Sequence, residues 1–126
     1  MIVIFDTNIL IDIDHGRSDV IESVSALVEE LPATEYAITW VTFYEFYYGA
    51  YPNDAVVKRS LEFLNKFSFL AMDKEATKVF TYLKKEKTDV KDFDLLIAAI
   101  TIANNAILIT RDTDFKRIKN LQVKIL

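Results

Sequence analysis

Four short apolar runs limit what this chain can fold into. Ile2–Phe5 (I-V-I-F) has no polar alternation, so it reads as a strand covered on both faces, as in a parallel sheet. Residues 36–41 (Y-A-I-T-W-V), 67–72 and 106–109 read as three further short strands. Helical spacing fills the intervals between them. A short helix is expected over 9–13. Ser18 is the expected N-cap of a helix to about residue 31, with Val20, Val24, Leu27, Val28 and Leu31 on one stripe. Thr42 is the expected start of a helix through residue 50. Asp54 is the expected cap of one to about residue 67, and Asp73 of one reaching Lys87. A polar joint over 88–91 leads into a long apolar helix over 92–104, and 123–126 is a candidate fifth strand. Strands alternating with helices define an α/β fold around a mainly parallel sheet of four to five strands. With 126 residues and no linker, repeat or low-complexity segment, a single domain over 1–126 is expected.

Composition narrows the chemistry. A hydrophobic fraction of 52% supports a packed core and argues against disorder. Zero Cys excludes a disulfide framework, a thiolate metal site and a cysteine nucleophile, and it fits a reducing cytoplasm. One histidine, His15, leaves no material for a His cluster or a catalytic triad. No apolar run approaches the roughly 20 residues of a membrane span. The opening M-I-V-I-F-D-T-N lacks the basic leader of a signal peptide, so a soluble cytoplasmic protein is expected. The formal net charge of −4 is an awkward sign for phosphate contacts, so charge has to be read locally.

In parallel α/β sheets, sites form beyond the carboxyl ends of the strands. Four acids from distant stretches fall on that rim. Asp6 directly follows the first strand; its bland role is a cap or Asx-turn for the next segment. Glu45 lies three residues after Thr42, which is the spacing of a capping box. Asp92 and Asp94 open the long helix and point in nearly opposite directions. Asp92 is therefore expected as the N-cap and Asp94 as the inward acid, where a carboxylate needs a partner or a metal. In T-R-D-T-D-F, Asp112 is nearer the strand end and is expected in the site, with Asp114 as a local cap. Thr110 is placed to hydrogen-bond a ligand carboxylate or a water. Carboxylates gathered without His or Cys call for a hard cation with oxygen ligands, Mg²⁺ or alternatively Mn²⁺. Such a site suits phosphodiester hydrolysis.

The segments I-F-D-T-N, T-F-Y-E, D-L-L-I-A-A-I-T-I-A and L-I-T-R-D-T-D-F occur in this order over essentially the whole chain. In this the sequence resembles the PIN-domain ribonucleases, and most of all the VapC-type toxins of toxin–antitoxin pairs. D-T-N alone is a weak signal; the last two segments at this spacing are specific. The resemblance implies a PIN-like three-layer α/β/α sandwich and a Mg²⁺- or Mn²⁺-dependent endoribonuclease, a hydrolase acting on RNA. It carries the catalytic and metal-binding roles onto Asp6, Glu45, Asp94 and Asp112. Thr7, Asn8 and Thr110 become supporting residues, and Asp114 falls at a commonly acidic position. It also implies a homodimer and a groove for a VapB-like antitoxin.

Arg111 and Arg117 are candidate phosphate contacts. Residues 43–51 (F-Y-E-F-Y-Y-G-A-Y) set Phe43, Phe46, Tyr47 and Ala50 on one helical face and Tyr44, Tyr48 and Tyr51 on another. A helix aromatic on both sides reads as half core and half interface. The antitoxin groove is expected there, together with residues 9–13. Two other readings stand beside the nuclease. Phosphoryl-acceptor chemistry shares the fold class, but D-T-N lacks an adjacent second Asp and the D-x-D spacing. A catalytically inactive PIN-like scaffold that binds a protein partner or RNA would have no need of intact acids.

Overall fold

The computed structural model describes residues 1–33, 35–86 and 89–126. Among these residues five strands form one sheet: β1 (Ile2–Phe5), β2 (Glu35–Thr39), β3 (Ser68–Leu70), β4 (Ile107–Thr110) and β5 (Val123–Ile125). Their spatial order is β3-β2-β1-β4-β5, and every neighbouring pair is parallel. Six α-helices of the described residues accompany them: α1 (Thr7–Asp14), α2 (Ser18–Glu30), α3 (Trp40–Ala50), α4 (Asp54–Leu64), α5 (Lys74–Glu86) and α6 (Asp92–Ala103). A short 3₁₀ helix spans Thr113–Arg117.

The period of two along the buried strands makes the layers. Val3 and Phe5 of β1 and Ile109 of β4 pack with Ile9 and Leu10 of α1, Val20 and Val24 of α2, and Phe46 of α3. Ile4 and Leu108 point the other way, to Ala76 and Leu83 of α5 and Leu95, Ala98 and Ala99 of α6. Both faces of the sheet are thus covered, which gives the expected α/β/α sandwich. The chain winds outward from β1 through β2 to β3, then returns to the other side of β1 with β4 and β5. Strand order reverses between β1 and β4, so a crevice opens beyond their carboxyl ends. Among the described residues no helix is long and apolar enough to cross a membrane.

Several boundaries differ from the sequence expectation, and caps explain most of them. The second strand stops at Thr39, because Thr39 takes an extended backbone (φ −92°, ψ 165°) and its hydroxyl accepts the Thr42 N–H. Trp40 and Val41 therefore belong to α3, and Thr39, not Thr42, is its N-cap. Asn53, not Asp54, caps α4 by accepting the Val56 N–H at 3.2 Å. That helix ends at Leu64 instead of near residue 67. Ser18 is the first residue of α2 and makes no cap; Arg17 holds the cap position without a side-chain bond. The third strand shrinks to Ser68–Leu70. Asp73 does cap α5, accepting the Ala76 N–H at 2.9 Å. The expected helix end at Lys87 and the joint's start at Thr88 lie outside the described residues. Asn105 closes α6 with φ 51°, a left-handed conformation that Asn tolerates.

The cap assignment is testable. Thr39→Val keeps the side-chain shape and removes the acceptor, so it should cost about 1 kcal/mol of stability in urea denaturation. An unchanged midpoint and slope would place the cap elsewhere.

Candidate active site

The parallel register builds the site. Phe5 pairs with Ile109, so the next residues, Asp6 just past β1 and Thr110 at the end of β4, lie side by side. The Asp6 N–H continues the ladder by donating to the Ile109 carbonyl at 2.9 Å. Asp6 is 8% exposed and both its oxygens are engaged. One accepts the Thr7 N–H at 2.8 Å, capping α1, and the other accepts the Thr110 hydroxyl at 2.7 Å. The cap role and the site position therefore coincide in one residue.

Thr110 joins two acids. Its hydroxyl donates to Asp6 and accepts the Asp112 N–H at 3.0 Å. Asp112 in turn caps the 3₁₀ helix, its Oδ1 accepting the Asp114 N–H at 2.9 Å. The cap expected at Asp114 is thus Asp112 itself, which also lies at the cleft. Asp114 is exposed and instead accepts from Arg117 at 2.7 Å. Asp94 sits in the first turn of α6, partly buried, while Asp92 is exposed and binds Lys84 at 2.6 Å. Asp92 is not the N-cap: Lys91 holds that position with no side-chain bond.

Electrostatics tie the acids together. Burial pushes the Asp94 carboxyl up to about 6, the charges of Asp112 and Asp6 add to it, Lys91 opposes it, and Asp114 adds least. Burial also raises Asp6; the Thr110 and Thr7 hydrogen bonds oppose this, and Asp112 adds to it. Asp6, Asp94 and Asp112 thus feel one another's charge. Among the described residues, however, no three acids are close enough to ligate one ion together.

Glu45 arrives by another route. It is the sixth residue of α3 and exposed, so the capping-box role does not apply to it. Its Oε1 accepts the Thr7 hydroxyl at 2.7 Å. Thr7 has one hydroxyl proton, so the 2.9 Å contact between the Thr7 and Thr42 hydroxyls has Thr42 as donor. Thr7 thus links the two acids, donating its hydroxyl to Glu45 and its N–H to Asp6. A cleft of about 300 Å³ is lined by Asp6, Asn8, Arg111 and Asp112. The two arginines part company here. Arg111 lines the cleft and is ion-paired to Asp12, whereas Arg117 lies away from it, bonded to Asp89 and Asp114. Asp12 was not among the expected site residues. Its one signal in the sequence is that it lies one helical turn after Asn8, on the same face.

The donor set is all oxygen and repels itself, as suits a hard divalent cation. Mg²⁺ retains several waters and needs few direct carboxylates, so the acids need not all touch it.

The comparisons agree with this fold. The PIN domain family profile matches residues 3–121, and the chain belongs to that family, whose members are generally divalent-metal-dependent nucleases. A toxin–antitoxin complex from Klebsiella pneumoniae is 28% identical, covers 94% of each chain and superposes with a TM-score of 0.77. VapBC-1 from nontypeable Haemophilus influenzae is 25% identical over 99% of this chain and 98% of that one, with a TM-score of 0.82. VapBC2 from Rickettsia felis, bound to a promoter DNA fragment, is 24% identical over 100% and 99%, with a TM-score of 0.84, and speaks for the fold alone. No curated protein matches the chain.

The raised Asp94 fixes a pH dependence. An acid whose folded pKa lies above its unfolded 3.8 binds more protons when folded, so stability falls as pH rises from about 4 through about 6. Metal-free protein should therefore lose stability across that window. Asp94→Asn should flatten the profile and be the more stable protein at pH 7, measured by urea denaturation at each pH.

Proposed function

We propose that this chain is a Mg²⁺-dependent endoribonuclease, with Mn²⁺ as an alternative ion, and the toxin of a VapBC-type pair acting in the cytoplasm. The observation that carries the reading is the group of three strand-end and helix-start carboxylates, Asp6, Asp94 and Asp112, whose charges act on one another in a PIN-family chain. Glu45 is proposed as the fourth acid. Thr7, Asn8 and Thr110 orient the others, and Asp114 has a lesser role. Residues 1–126 are read as one catalytic domain.

Each acid has oxygen to offer. Asp112 Oδ2 and Glu45 Oε2 are not used by the hydrogen bonds described above. Each Asp6 oxygen accepts one hydrogen bond and keeps a further lone pair. Asp94 holds a proton near neutral pH more readily than an ordinary carboxylate, and binding a cation draws that proton off. A divalent ion bound there supplies a polarised phosphoryl oxygen and a water of lowered pKa. Arg111 lines the same cleft and is the better candidate for a phosphate contact; Arg117 is occupied by two carboxylates.

Partner surfaces follow from α3. Its inner face, through Phe46 and Ala50, meets Ile11 and Val56 in a cleft of about 210 Å³ that Glu45 also lines. This is the proposed antitoxin groove, and the solved relatives from Klebsiella pneumoniae and Haemophilus influenzae are toxin–antitoxin complexes. Its outer face exposes Tyr44, Tyr47, Tyr48 and Tyr51 around an apolar slot, which is the proposed homodimer surface. A second reading, an inactive scaffold, is favoured only by the absence of three acids at shared ligating distance among the described residues.

The test is cleavage of total cellular RNA by antitoxin-free protein with Mg²⁺, with Mn²⁺ and with EDTA. Cleavage should need metal, and Asp94→Asn should lower the rate by at least the roughly 100-fold that losing a ligand's supporting partner costs. Metal-independent cleavage, or full activity in that variant, would sink the reading.

A further inference from the structure

We infer that Asp12 is a positioning residue: it holds Arg111 at the rim of the acid cleft and off the cleft's own carboxylates, which stay open to a divalent cation. The inference rests on the metal-site reading above.

Arg111 directly follows Thr110 and lines the cleft with Asp6, Asn8 and Asp112. A guanidinium so placed is attracted to the two carboxylates of that cleft. It is nevertheless bonded to Asp12, through one nitrogen, Nη2, and makes no other described hydrogen bond or ion pair. Asp12 competes well because its side chain is only 13% exposed, so water screens its charge poorly. It is also held from behind. Arg17 approaches its other oxygen at 3.5 Å and is itself fixed by Asp19 at 2.9 Å.

The helix makes the arrangement specific. Asp6 caps α1, Asn8 reaches the cleft from its first turn, and Asp12 lies one turn further along the same face. One rigid element therefore sets both a proposed ligand and the anchor of the cation next to it. The next acid on α1, Asp14, pairs with Arg59 at 3.7 Å and lines the other cleft, so it has no access to Arg111. Without the charge of Asp12, the nearest acids for Arg111 are those lining its own cleft. A guanidinium on them would occupy the oxygens that a metal needs. Held on Asp12 by one nitrogen, it leaves the rest of its fork directed to other acceptors such as a phosphate.

The plain alternative is a staple that merely ties α1 to the turn after β4. Metal affinity separates the two, read without RNA by electron paramagnetic resonance of free Mn²⁺ during titration of the full chain. Asp12→Asn should weaken Mn²⁺ binding about tenfold, at the low end of what loss of an orienting partner costs. The Asp12→Asn/Arg111→Gln double variant should recover to within about twofold of the parent, and Asp12→Glu should bind as the parent does. Thermal melts check that each variant is folded; if Asp12→Asn alone is not, the Asp12→Glu and double-variant affinities decide. Parent-like binding by folded Asp12→Asn overturns the inference, as does a double variant that stays weak. Failure of the parent itself to bind Mn²⁺ removes the metal reading and this inference with it.

Discussion

The buried hydroxyl of Thr110 joins the parts of this molecule that carry its acids. It has one proton and two lone pairs, so it can donate to Asp6 and accept from the Asp112 backbone at once. The second contact is a local turn two residues long, but the first exists because β1 and β4 are parallel neighbours in a register that pairs Phe5 with Ile109. A one-residue slip would turn the alternating side chains of either strand to the wrong face, breaking both core layers and the site together. Asp6 then starts α1 and Asp112 starts the 3₁₀ helix. Two elements thus begin from the same pair of strand ends.

Bringing like charges together opposes folding, and the architecture limits that cost. Asp6 and Asp112 occupy N-cap positions and Asp94 lies in a first helical turn. Each therefore faces unpaired N–H groups and the positive end of a helix dipole, where a carboxylate is favoured. Glu45 has no such support, lying midway along α3, and depends on the Thr7 hydroxyl instead. The remaining cost, burial first and mutual repulsion after it, is visible in the raised pKa values of Asp6 and Asp94. It is carried by a core in which Leu95 and Ile97 to Thr101 of α6 are buried. A site that is unfavourable when empty is matched to a cation, since binding relieves the same repulsion.

Much of this was legible in the residues. The unalternated apolar runs marked a covered parallel sheet, and strand-end acids marked the rim. The caps were less legible, because propensity names candidates and tertiary pairing chooses among them. Thr39 and Thr42 are equally good caps in isolation; Thr39 wins because β2 pairs with β3 as far as Thr39 and Leu70. Asp92 looks like a cap until α5 brings Lys84 against it. The split of α3 into core and surface faces was right for Phe46 and Ala50 and for Tyr44, Tyr48 and Tyr51. Tyr47, assigned inward, is 43% exposed and stacks with Tyr51. Asp12 gave almost no signal, since its partner lies 99 residues away.

The acidic net charge bears on an RNA substrate through where the cations are already spent. Arg117 is bound by Asp89 and Asp114, Lys84 by Asp92, Arg17 by Asp12 and Asp19, and Arg59 by Asp14. None of these lines the cleft with Asp6 and Asp112, where Arg111 does, itself bound to Asp12. An empty cleft therefore repels a phosphate backbone more than it attracts one. For the proposed nuclease, divalent cations have two tasks: they supply the chemistry, and they reverse the local sign of the field so that the polyanion can approach. A chain of net charge −4 can serve RNA on those terms, with its charge switched at one cleft by what that cleft binds.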